Sequence, residues 1–136
     1  ALYYGTFKQI NLMGLGMQVD VFAECMTDAQ LGIFCLMGAV ATLLCGWLLI
    51  AFTKRICEAK SKVFNAVMWY ISLAILLIDP LYLSVLCTFF GGGDMNGIGL
   101  LLPEIGVRAV FGVIGIVHAV VIWKYLLPEY TKSFQQ

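Results

Sequence analysis

LGIFCLMGAVATLLCGWLLIAF, residues 31–52, contains no charged residue. A helix rises about 1.5 Å per residue and the hydrocarbon core of a bilayer is about 30 Å thick, so about 20 such residues cross it. Strands do not run to this length. In hydrocarbon the backbone must bond to itself, so the stretch reads as a transmembrane helix. Working outward, 63–90 is a second long apolar stretch with one charge, Asp79. A third, 98–127, contains Glu104, Arg108, His118 and Lys124. The expected fold class is all-α. It is a polytopic integral membrane protein with three transmembrane helices near 31–52, 63–90 and 98–127 or 104–127, together one helical domain at 31–127.

Composition agrees with that reading. The chain of 136 residues is 62% hydrophobic and 12% charged, with a mean hydropathy of +0.95. A soluble chain carries about 25% charged residues. The formal net charge is zero, which removes the electrostatic footprint of a nucleic-acid binder. The expected partners are the lipid bilayer and other membrane protein subunits, with no nucleic acid and no soluble substrate evident.

Thr53-Lys54-Arg55 stops the first span, and Lys60 and Lys62 precede the second. Gly91-Gly92-Gly93-Asp94 reads as a flexible turn after the second span, and 94–102 as a glycine-rich loop at the membrane surface. Pro103-Glu104 resembles a helix start, since proline suits the first turn and a carboxylate suits the positive helix end. Pro128 is expected to end the third span, leaving 128–136 as a tail. Lys54, Arg55, Lys60 and Lys62 lie in one loop against a single acid, Glu58, and Lys124 and Lys132 lie near the C-terminus. The other side holds Lys8 among Asp20, Glu24, Asp28 and Asp94. The positive-inside bias then places the 53–62 loop and the C-terminus on the cytoplasmic or equivalent inner side and the N-terminus outside.

Residues 1–30 are less apolar. They read as an external or interfacial segment containing a short amphipathic helix, although Gln18-Val19-Asp20-Val21 alternates. The alternative is the truncated tail of a fourth span beginning before Ala1.

Charged groups inside spans are the main candidates for chemistry, because an isolated one costs about 2.5–3.5 kcal/mol on insertion scales. Glu104, Arg108, Gly115 and His118 fall within roughly an 80° arc of one helix. Asp79 lies at a depth compatible with Arg108. The sequence therefore suggests a structural carboxylate–guanidinium–carboxylate cluster of Asp79, Arg108 and Glu104. Pro80 beside it removes the hydrogen bond to the Leu76 carbonyl and bends the helix. His118, with Tyr70, Trp69 and Ser72 at similar depth, is either a hydrogen-bonded packing residue or a ligand for haem or a chlorophyll-type pigment. No cofactor is required by the sequence.

Small residues form stripes suited to close helix packing: Cys35, Gly38, Thr42 and Gly46 in the first span, and Gly112, Gly115 and Ala119 in the third. Cys57 beside Lys54 and Arg55 is a candidate for palmitoylation. Cys25 and Cys87 could form a disulfide if their side is oxidising. With one histidine and no C-x-x-C, no metal site is expected. There is no H-E-x-x-H, P-loop or G-x-S-x-G, so no enzyme is expected. The leading expectation is a small non-catalytic accessory subunit of a larger membrane complex. Two alternatives remain: an anchor subunit helping to bind haem, quinone or pigment, and a homo-oligomeric channel or transporter protomer.

Overall fold

The computed structural model describes residues 5–13, 16–90 and 93–135. Three helices, Asp28–Cys57, Lys62–Ser84 and the continuous stretch Glu104–Gln135, are long and apolar enough to cross a membrane. They pack side by side, with α1 (Asp28–Cys57) and α2 (Lys62–Ser84) joined by a short turn. A five-residue helix, α3 (Asp94–Ile98), leads into α4 (Glu104–Val121).

Residues 1–30 depart from the sequence expectation. They contain an antiparallel hairpin, β1 (Phe7–Met13) and β2 (Gly16–Val21), in place of an amphipathic helix, so the fold is not purely α. The alternation at 18–21 is the period of a strand, and it prevails over the weak helical pattern. Asp20 fixes the pairing by accepting from Asn11 Nδ2 at 2.6 Å and Gln9 Nε2 at 3.2 Å. The Phe22 N–H donates to the Thr6 carbonyl at 2.9 Å and closes the base of the hairpin. Residues 1–4 and 14–15 of this segment lie outside the described residues.

α1 starts with a capping box. The Gln30 N–H donates to Thr27 Oγ1, while Gln30 Oε1 accepts from the Thr27 N–H at 3.0 Å. Asp28 in its first turn and Lys54 and Arg55 in its last complement the helix dipole. Ser61 caps α2 through the Phe64 N–H, and Asn65 Nδ2 bonds the Ala59 carbonyl at 3.0 Å, pinning the turn.

The third long helix does not stop at Pro128. Ile122–Leu126 form a π turn, in which the Leu127 N–H reaches back to the Ile122 carbonyl, and the chain continues as α5 (Leu127–Gln135). The wider turn accommodates the missing proline N–H at the start of α5. Tyr130 and Ser133 then bury against the bundle, where the Trp69 and Tyr130 rings meet tilted, with centroids 5.1 Å apart.

The core divides in two. Toward the hairpin end, Ala39, Leu83, Cys87, Met95, Ile98, Val107 and Phe111 pack together. Toward the 58–61 turn, Leu76, Leu126, Tyr130 and Cys57 form a second cluster. The 94–102 stretch, expected as a surface loop, is partly core, because Met95, Gly97 and Ile98 are buried. Glycine makes that approach feasible: a Cβ on Gly97 would collide with Cys35 Sγ, and one on Gly32 would lie 2.9 Å from the Gly97 carbonyl oxygen. Residues 91–92 of the GGGD turn lie outside the described residues.

Candidate functional site

Two features stand out, and α2 contributes to both. The first is a clasp at Pro80. A proline inside a helix leaves the carbonyl four residues earlier without its N–H partner. That carbonyl belongs to Leu76. In the fold, His118 Nδ1 of α4 lies 2.8 Å from the Leu76 oxygen, and the ring is fully buried. A carbonyl only accepts, so Nδ1 carries the proton and donates. Nε2 is buried and has no hydrogen-bond partner among the described residues. The Trp47 indole meets the imidazole edge-on, with centroids 5.7 Å apart. Gly115 brings α4 up to Pro80: a Cβ there would lie 3.4 Å from the Pro80 Cβ.

This geometry replaces the partners expected for His118. Tyr70 is exposed and turned away from the bundle, Trp69 is engaged with Tyr130, and Ser72 donates to the Met68 carbonyl at 2.8 Å. The sequence named the orphaned Leu76 carbonyl and the buried histidine separately. Only the packing joins them.

The anticipated three-membered ion cluster does not form. Arg108 donates from Nε to Glu104 Oε1 at 2.9 Å and also from Nη2, an i,i+4 pair on α4 that leaves Asp79 out. The helix register explains this. Gly115 lies against Pro80 and Gly112 against Ser84, so the two helices run antiparallel with residue numbers summing to about 195. Arg108 is therefore level with residues 87–88, beyond the end of α2 and about 12 Å above Asp79. Asp79 is also turned about 100° from Pro80 around α2, toward Thr42 of α1. The Thr42 hydroxyl also lies 3.1 Å from the Gly38 carbonyl oxygen.

The second feature is a cleft of about 760 Å³ at the hairpin end, lined by Val19, Phe34, Cys35, Met37, Gly38, Tyr82, Gly93 and Asp94. Gly93 is there for a reason: its φ is +42°, and the Tyr82 hydroxyl occupies the space a Cβ would need. Tyr82 follows Asp79 by three residues and Gly38 precedes Thr42 by four, so the Asp79–Thr42 contact sits one helical turn below the cleft floor. The two carboxylates, Asp94 and Asp79, are close enough to influence each other. Burial, and then the Asp79 charge, push the Asp94 carboxyl above the usual carboxylate range. Tyr82 and Phe34 are not singled out by the sequence, where Asp94 reads as part of a turn and as one of the acids of the outer side. Gly93 and Gly97 flanking it were the available indication of close packing.

The small-residue stripes split. Gly46 packs on Leu76 and Ile75, Cys35 meets Gly97, and Gly112 and Gly115 face α2. Gly38, by contrast, has nothing among the described residues within 4 Å of a Cβ position, and Ala119 is exposed. All five cysteines are free thiols; Cys25 is exposed while Cys87 is buried, its Sγ 3.7 Å from the Leu83 carbonyl oxygen, so the expected disulfide is absent. Cys57, proposed for lipidation, is buried with its thiol against Ser133 of α5. Cys57 is expected to react with a maleimide about tenfold more slowly than Cys25. Removing residues after Leu127 should abolish the difference, and equal rates in the full chain would contradict the burial.

Among the described residues, no group of three or more His, Cys, Asp or Glu side chains is placed to hold a metal ion. Compared with protein-family models, with curated proteins and with solved structures, the chain matches none.

Proposed function

We propose that this chain is a small non-catalytic subunit of a larger membrane assembly. Three spans cross the bilayer, with the hairpin outside and the 58–61 turn and α5 on the cytoplasmic or equivalent inner side. The apolar belt supports insertion: Leu44, Leu48, Ile78, Ile116 and Trp123 are among many large apolar side chains left uncovered on all three long helices. Exposing such area to water costs roughly 25 cal/mol per Å², whereas hydrocarbon accepts it. The basic residues Lys54, Arg55, Lys60 and Lys62 at one end and the acids at the other support the orientation.

The observation that carries the subunit reading is the uncovered small face of α1. Gly38, Ala41 and Cys45 lie within about 60° of one another and are all exposed. Lipid covers such a face without gain, while a second helix can approach closely and pack against it, the main source of helix association in hydrocarbon. Native mass spectrometry of the chain extracted in mild detergent should find it bound to other membrane chains. Gly38→Leu should release them without altering its helix content. A monomer insensitive to that substitution contradicts the reading, and a homo-oligomer favours a channel or transporter protomer.

A second reading is favoured by the His118 geometry. A buried imidazole whose Nδ1–H is held by a backbone carbonyl and whose Nε2 has no partner among the described residues shares the orientation of a metal-ligating histidine. That would make the chain an anchor for haem or a pigment. An absorption band in the purified complex that disappears in His118→Gln, which keeps a donor for Leu76, supports it. A colourless complex removes it.

A further inference from the structure

The cleft at the hairpin end rests on neither reading, although Gly38 belongs both to its lining and to the uncovered face of α1. It combines a volume of about 760 Å³ with two aromatic side chains, Phe34 and Tyr82, the apolar Val19 and Met37, and the Asp94 carboxylate. Asp79 stands one turn deeper, against Thr42. The volume and aromatic lining set it apart from a bare pair of acids, since a metal ion would fill only a small part of it. Among the described residues, the ion pairs are Arg108–Glu104 and Lys132–Glu129, so neither Asp79 nor Asp94 has a protein cation within salt-bridge distance. Lys8 on the hairpin lies over the Phe22 ring, 5.7 Å from its centroid. The cleft therefore offers negative charge and aromatic surface and contains no positive group of its own.

We propose that this cleft binds a small organic cation, an ammonium group on an apolar or aromatic frame. The ammonium enters toward Asp94 and Asp79, where it supplies the opposite charge these groups lack. The frame lies against Phe34, Met37 and Tyr82. Ligand sites of this kind are concave and mostly apolar, with few convergent polar groups to fix orientation. Aromatic faces add attraction for a cation. A neutral molecule of the same shape gains the apolar contacts but leaves the carboxylates uncompensated, so charge discriminates.

The test uses the full chain in lipid nanodiscs, with 2-phenylethylammonium as the probe and 2-phenylethanol as its uncharged counterpart. Calorimetry should give saturable binding of the ammonium that is weakened about tenfold or more by Asp94→Asn and by Asp79→Asn, and unchanged by Glu104→Gln. The alcohol should bind at least about tenfold more weakly than the ammonium. Asp79 lies inside a helix and its variant can fail to fold, so a second measurement uses the unaltered chain. The ammonium should slow maleimide labelling of Cys35, which lines the cleft, and leave Cys25 unaffected. Absence of saturable binding, equal binding of the alcohol, indifference to Asp94→Asn, failure to protect Cys35, or saturation by calcium ions in place of the ammonium would each overturn the proposal.

Discussion

Replacing His118 by leucine lowers the stability of the bundle by about 1–3 kcal/mol, and most of that loss disappears when Pro80 is replaced by alanine in the same chain. Leucine restores apolar bulk at a fully buried position but supplies no donor. The Leu76 carbonyl, which accepts from Nδ1 at 2.8 Å, is then buried without a partner. The cost of an unmade buried hydrogen bond exceeds the net worth of a made one, because the group has been desolvated for nothing. Alanine at 80 returns an N–H four residues after Leu76 and lets the helix satisfy its own carbonyl. It retains the Cβ that Gly115 packs against. The four variants form a double-mutant cycle, measured by unfolding in mixed micelles. A coupling of at least about 1 kcal/mol is expected, whereas additive losses would mean that His118 acts through packing alone.

Gly32→Val detaches α3 from α1. At Gly32 a Cβ would stand 2.5 Å from Leu101 Cγ, 2.7 Å from Leu101 Cδ1 and 2.9 Å from the Gly97 carbonyl oxygen. The Leu101 side chain is partly exposed and can rotate aside. The Gly97 carbonyl belongs to the backbone of a buried turn and moves only if α3 moves. Overpacking of this kind costs about 1–3 kcal/mol, and the two further methyl groups of valine place this variant at the upper end. Loss of α3 also uncovers Cys35, so its maleimide labelling should rise several-fold while Cys25 is unchanged. Gly38→Ala is the matched control. No described residue lies within 4 Å of its Cβ position, and alanine favours a helix over glycine by about 1 kcal/mol, so its stability should hold or rise. Equal damage from both substitutions would show that the α1–α3 contact is not what Gly32 protects.

The sequence made the individual anomalies legible more readily than their connections. Asp79, Pro80 and His118 were identifiable because hydrocarbon penalises a charge, a missing donor or a lone imidazole wherever it occurs. Their partners were not. Depth alone suggested Asp79 with Arg108, yet both the register of α2 on α4 and the facing of Asp79 toward α1 oppose it. Arg108 takes the carboxylate nearest in sequence, Glu104, because an i,i+4 pair on one helix needs no tertiary alignment. The hairpin was hidden for a different reason. Its alternation is brief and mixed with apolar residues that fit either period, and two strands gain their order from each other.

The chain's own chemistry determined three rod-like helices, where each begins and the basic character of one end. Those properties follow from runs of neighbouring residues and the capping groups beside them. The tertiary arrangement decided that a carbonyl orphaned by Pro80 is met by a histidine 42 residues away, that α3 is seated on Gly32 of α1, and that Asp94 lines an aromatic cleft within the electrostatic influence of Asp79. Such contacts depend on how one helix is rotated and shifted along another. In a chain apolar on nearly every side, hydropathy does not specify that rotation; the fit of glycines, proline and buried hydrogen bonds does.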